Sequence, residues 1–318
     1  MTTSNKIRPR TRAALLPLLL LLLACGLPGP IVERAPTATA RPPTTPAASP
    51  TPASTSTPAP LPALRATPSA VADAALLVQS QALDVYAAPN VDPALRAALL
   101  GQAGHFDQIT GAVEQRLGTR LTRRVVLLVQ PPEAGRAIRA NCPARGAATR
   151  TEDGYLLIYM FADSRTSEAQ RDAVVAHEIA HQAIYTKLGP GGDTILNEGL
   201  ANWAIPQTWR MWQDAPSFDS FVLESIARGT YVPLTESVAR NFARPASGED
   251  CFETRDQVYN EWASFDDFLI RHYGWNAIRR FWQQPVERNE DFDYRVGFGK
   301  TLAELEREWL AQLGRRET

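Results

Sequence analysis

Apolar residues recur every three to four positions through most of the chain after residue 68, interrupted by two short stretches that are apolar almost without a break. Arg124–Gln130, closed by Pro131-Pro132, and Tyr155–Phe161 are short and rich in β-branched, aromatic and leucine side chains, so both are expected as buried strands. Between them an irregular segment containing Cys142 is expected. Upstream, Val71, Ala74, Ala75, Val78 and Leu83 form a stripe read as a helix. A second helix is expected between Asp92-Pro93 and Gly118, with proline in its first turn. Ser167 and Gln170 match a capping box that opens a helix ending at Gly189-Pro190, about 31 Å long at 1.5 Å per residue. Gly191-Gly192 turns the chain, and Asp193 or Thr194 caps a helix carrying Leu196, Glu198, Leu200, Trp203 and Ala204. Further helices are expected at Ser217–Arg228, Tyr259–Gly274, Trp275–Gln284 and Leu302–Leu313, with an irregular stretch over Gly229–Glu249. The expected fold is α+β, a small mixed sheet packed on the Ser167 helix and followed by a mostly helical C-terminal half.

The pattern differs before residue 69. Lys6, Arg8, Arg10 and Arg12 precede a short apolar run from Ala13 to Leu23, the layout of an export signal rather than a membrane span. It ends in Leu22-Leu23-Ala24-Cys25, which resembles the lipobox of bacterial lipoproteins and implies a lipid on Cys25; an ordinary cleaved signal with an incidental cysteine is the alternative. From Pro36 to Pro68 nearly every residue is Pro, Thr, Ala or Ser, an extended linker reaching up to roughly 100 Å at ~3.1 Å per residue. The expected organisation is a signal peptide over 1–24, a linker over 25–68, and one domain over 69–318, with helices and sheet to 165 and the site and helical half from 166. The expected location is the outer face of the membrane in the cell envelope. Cys142 and Cys251 remain, and in an exported chain an even number suggests a disulfide, with two unpaired buried thiols as the alternative. Basic and acidic residues nearly balance, 33 against 34, which argues against a nucleic-acid partner.

The chemistry concentrates at His177-Glu178-Ile179-Ala180-His181 and Asn197-Glu198-Gly199-Leu200-Ala201. On a helix, positions i and i+4 share a face, so His177 and His181 can offer two imidazole nitrogens to one zinc ion. Glu198 is the expected third ligand, leaving a fourth position for water, and Glu178 stands at the edge of that site as the expected base. Asn202, four residues after Glu198, shares its face and is a candidate partner for the outer N–H of a ligand histidine, against the reading of a solvated helix residue. His105 and His272 are given no ligand role.

These motifs, with the Tyr259–Gly274 segment, resemble the gluzincin metallopeptidases, in particular peptidase MA-like domains related to the aminopeptidase and thermolysin-like families. The likeness runs from Ser167 to Gly274, and Phe298–Trp309 is similar to the tail of such domains. The resemblance implies a zincin-like fold, one zinc held by His177, His181 and Glu198, and Glu178 as general base. It also implies Tyr259 as oxyanion donor from the opening of a helix, and an edge strand, expected at Tyr155–Phe161, that holds a peptide or protein substrate extended. The Gly-Ala-Met-Glu-Asn signature with which many of these aminopeptidases hold a free N-terminus is absent, as is their large N-terminal β-domain. The expected function is zinc-dependent peptide hydrolysis outside the cytoplasmic membrane; the alternative is a non-catalytic envelope binding or assembly module retaining a zinc site.

Overall fold

Five strands in the order β1-β2-β3-β5-β4 form one mixed sheet, which carries the helix of His177 and His181 on one face. The computed structural model describes residues 69–139, 142–150, 155–242, 251–285 and 292–314, so the expected signal peptide and linker lie outside the described residues. Strands β1 (Ala75–Gln79) and β2 (Leu83–Ala87) are an antiparallel pair; β2, β3 (Val125–Gln130) and β5 (Leu156–Phe161) run parallel; β4 (Gly146–Arg150) closes the far edge antiparallel to β5. The fold class is thus α+β with a small mixed sheet.

The two central strands fall where their apolar runs lie. Two expectations around them are corrected. The stripe from Val71 to Leu83 is not a helix: a 3-10 turn at Ser69–Val71 leads into β1 and β2. Short apolar runs satisfy periods of two and of three to four almost equally, and here pairing of β2 with the buried β3 decides in favour of strand. The segment holding Cys142 is not wholly irregular either, since it contains α3 (Pro132–Ile138) and β4. Nothing in the Gly-Ala-Ala-Thr-Arg sequence of β4 announces a strand; its partner β5 imposes the conformation.

The helical stretch after Asp92 is two helices, α1 (Pro93–Leu99) and α2 (Ala103–Leu117), the first capped by Asp92 and the second stopped by left-handed Gly118. Helix α4 (Glu168–Leu188) starts after the Ser167 cap and α5 (Thr194–Trp203) after the Asp193 cap, as expected. Helices α6 (Pro206–Gln213) and α7 (Phe218–Arg228) follow, and α8 (Leu234–Phe242) occupies part of the stretch expected to be irregular; residues 243–249 of that stretch lie outside the described residues. Helix α9 (Cys251–Trp282) is kinked at Gly274, whose φ of 73° ends the first segment. Tyr259 therefore sits inside α9 and does not open a helix. Short α10 (Tyr294–Phe298) and α11 (Leu302–Leu313) complete the chain.

Alternate residues of the central strands separate the two faces of the sheet. Val125, Leu127, Val129, Ile158 and Met160 join the main core under the helices, whereas Val126, Leu128 and Leu157 pack with Val71 and Tyr86 in a smaller cluster on the other face. Buried Gln182 fastens α4 to the sheet by donating to the carbonyls of Thr149 and Leu157 at 2.8 and 3.3 Å. Gly199 sets the approach of α5 to α9: a Cβ there would stand 2.8 Å from the backbone carbonyl of Trp262. That close crossing brings Glu198 and Tyr259 to the same side of the core. Among the described residues, no helix is long and apolar enough to cross a membrane.

Candidate metal centre

His177 and His181 lie one turn apart on α4, and α5 presents Glu198 to the same point. His177 Nε2 is 3.1 Å from Glu198 Oε2 and 3.1 Å from His181 Nε2, and His181 Nε2 is 3.4 Å from Glu198 Oε2. The outer ring nitrogens are both committed elsewhere. His177 Nδ1 meets Asn202 Oδ1 at 2.8 Å, and His181 Nδ1 meets Asn197 Oδ1 at 3.2 Å. An amide oxygen only accepts, so each Nδ1 carries the hydrogen and each Nε2 presents a lone pair inward. Two lone pairs and a carboxylate thus converge on one point, an arrangement that repels itself unless a cation lies between them.

The spacing suits such a cation. Bonds of about 2.0–2.1 Å to nitrogen and oxygen give a ligand tetrahedron with edges of about 3.3–3.4 Å, close to the three donor separations. The residues therefore fit a tetrahedral dication, with His177, His181 and Glu198 as its ligands. Burial by itself would raise the Glu198 carboxyl, but the two imidazoles outweigh it and hold that group below the usual carboxylate range. A second group of donors, His105, Glu168 and Asp172, lies where α2 packs on α4. There His105 is bonded to Asp172 at 2.8 Å and exposed Glu168 accepts from Gln102, so all three are already partnered.

The donors form one wall of a cavity of about 370 Å³. Glu178, only 6% exposed, lines it next to the ligands and makes no hydrogen bond among the described residues. Burial pushes its carboxyl up to about 8; the charge of Glu198 adds to this, while His177 and Arg255 oppose it. Its side chain lies against Gly146 of β4, where a Cβ would come within 2.9 Å of Glu178 Cγ and Cδ. Tyr259 lines the cavity as well. Its ring stacks on His177 with centroids 6.0 Å apart and planes 12° apart, and burial raises the phenol above its ordinary value.

Every residue singled out from the motifs, His177, Glu178, His181, Glu198, Asn202 and Tyr259, lines this one cavity. One expectation is corrected: β5 is not an edge strand, being paired on both sides by β3 and β4. The edge is β4, and its Gly146, Ala147 and Ala148 line the cavity. Several cavity residues had not been singled out. Asn197 holds His181, and Tyr185 stacks on the His181 ring at 6.3 Å. Arg139, Arg145 and Arg255 line the cavity too. Adjacency to Glu198 in sequence and the i+4 spacing from His181 were available signals for Asn197 and Tyr185. For Arg139 and Arg145 there was none. No protein-family model matches this chain, and no curated protein matches it.

Proposed function

We propose that the chain is a zinc-dependent peptidase of the gluzincin type with a zincin-like core, acting on peptides or proteins outside the cytoplasmic membrane. The observation that carries this reading is the convergence of His177, His181 and Glu198, with both histidine tautomers fixed by asparagines, beside an unpartnered buried Glu178. A bound zinc supplies Lewis acidity, lowering the pKa of an attacking water and polarising the scissile carbonyl.

The residues of the chain account for the remaining steps. Glu178 makes no hydrogen bond among the described residues, and a cation held by the adjacent ligands would offset its burial and keep it ionised, so that it takes the proton of the attacking water and passes it to the leaving amine. Tyr259, held protonated by burial, donates its hydroxyl hydrogen to the charge developing on the carbonyl oxygen, a contribution of about 3 to 4 kcal/mol for a well-placed donor. The open edge of β4 offers backbone groups to an extended substrate, which gives affinity with little demand on side-chain identity. Its small residues leave room for that strand. The resemblance of residues 22–25 to a lipobox supports an envelope lipoprotein tethered through Cys25 and the linker.

Glu178 separates this reading from a non-catalytic module that keeps zinc for structure, because such a site has no use for a base. Purified protein should hold about one zinc per chain by elemental analysis, and His181→Ala should hold none. Glu178→Gln should keep the zinc and lose peptide hydrolysis by several orders of magnitude. Full activity in Glu178→Gln would remove the base assignment, and zinc without hydrolysis of any peptide would favour the non-catalytic module.

A further inference from the structure

The cavity has a second charged end that the chemistry above does not use. Arg139, Arg145 and Arg255 all line it, and Asp256 is the only carboxylate there outside the zinc motif among the described residues. Asp256 is taken by Arg145, whose Nη1 lies 2.5 Å from its Oδ1. The other two guanidiniums donate only to neutral groups among the described residues, although Arg255 also feels the charge of Asp256, the carboxylate already bonded to Arg145. Arg139 donates to the backbone and side-chain oxygens of Asn241 and lies over the Phe242 ring at 4.7 Å. Arg255, 7% exposed, donates to the Pro143 carbonyl at 3.1 Å and lies over Phe252 at 4.9 Å. Carbonyls and ring faces orient a guanidinium without neutralising it. Holding the buried charge of Arg255 in this way, with half-buried Arg139 beside it in the cavity wall, is costly unless an anion arrives.

The position of that charge limits what the anion can be. Arg255 precedes Tyr259 by one turn of α9, so the two lie about 6 Å apart along the helix axis. In an extended peptide that distance spans about two residues. The disulfide between Cys142 and Cys251, with Cα atoms 5.6 Å apart, ties the Pro143 loop to the start of α9 and so holds both partners of the Arg255 contact in place.

We infer that Arg255, supported by Arg139, is a specificity-determining residue that receives a substrate carboxylate within about two residues of the scissile bond. The inference rests on the peptidase reading for its substrate class. The carboxylate belongs to the C-terminus of a short peptide or to an acidic side chain, and both present the planar pair of oxygens that a guanidinium binds through two hydrogen bonds.

Two measurements separate this from the peptidase reading itself. The first compares kcat/KM of the zinc-loaded protein on matched acetylated tetrapeptides with a free C-terminal acid, a C-terminal amide, and an amide carrying Glu in place of Gln near the cleaved bond. The acid, the Glu amide or both should exceed the neutral amide by about tenfold or more, the scale of a charge-assisted hydrogen bond. Which of them does so identifies the source of the carboxylate. In Arg255→Gln the ratio should collapse towards one, and Arg255→Lys, which keeps the charge but not the paired geometry, should retain part of it. The second measures binding of acetyl-Phe-Ala and of its amide to chelator-treated, metal-free protein by calorimetry. A preference for the acid that disappears in Arg255→Gln supports the inference even if no peptide is hydrolysed, in which case only the peptidase reading fails. Equal cleavage of charged and neutral peptides overturns the inference and leaves the peptidase reading standing; where nothing is cleaved, equal binding by the metal-free wild type of acetyl-Phe-Ala and its amide, and likewise of the Glu and Gln amides, overturns it.

Discussion

Asn197 and Asn202 act on the proposed metal site through its histidines rather than as ligands. By accepting the Nδ1 hydrogens of His181 and His177 they leave both Nε2 lone pairs facing Glu198. Removing such an orienting partner typically weakens metal binding by about 10- to 100-fold, and Asn202→Ala is expected to do so in a competition titration against a chromophoric chelator. Asn202→Asp keeps an oxygen acceptor and should retain most of the affinity. Equal zinc affinity in Asn202→Ala and wild type would show that the tautomer of His177 is set by something else.

Three helices carry the candidate site residues, and each contributes something the others lack. Helix α4 carries the histidines and Glu178, α5 carries Glu198, and α9 carries Tyr259 and Arg255. The edge strand β4 completes the site through the side chain that Gly146 does not have. Adding one methyl group in Gly146→Ala would force the Glu178 carboxyl to move while leaving all three metal donors untouched. Zinc content is therefore expected to stay near that of the wild type while kcat falls by about 10²-fold, the usual cost of displacing a catalytic group by about 1 Å. Unchanged kcat would show that Glu178 has a second workable position.

Across the whole molecule, several buried carboxyls are raised by burial. Asp193 is pushed up to about 6 and Glu261 to about 7, and Asp266, whose oxygens have no hydrogen-bond partner among the described residues, lies well above its ordinary value. A folded state that holds a proton more tightly than the unfolded chain loses stability as pH rises. For Glu261 that loss begins above its ordinary value of 4.5 and is complete above about 7. Glu261→Gln keeps an oxygen for the Val232 N–H and for Gln257 but has no charge to bury. Its melting temperature should match wild type near pH 4 and exceed it at pH 8 by roughly 2–8 °C. Identical melting profiles across that range would mean that Glu261 is compensated when ionised.

The sequence by itself determined the local features. The strands at Val125–Gln130 and Leu156–Phe161, the capped helix with its i, i+4 histidines, and the Asp193 cap are written in contiguous residues, where periodicity and capping act within a few positions. The site residues were legible for the same reason, because four of them fall in two short motifs. What only the tertiary structure decided depends on partners distant in the chain. Strand β4 exists because β5 pairs with it, and β1 and β2 are strands because β3 lies beside β2. The arginine end of the cavity joins α3, β4 and α9 across more than a hundred residues, closed by the disulfide at a sequence separation of 109. No local pattern encodes such a contact, since it is fixed by which surfaces meet when the core is buried.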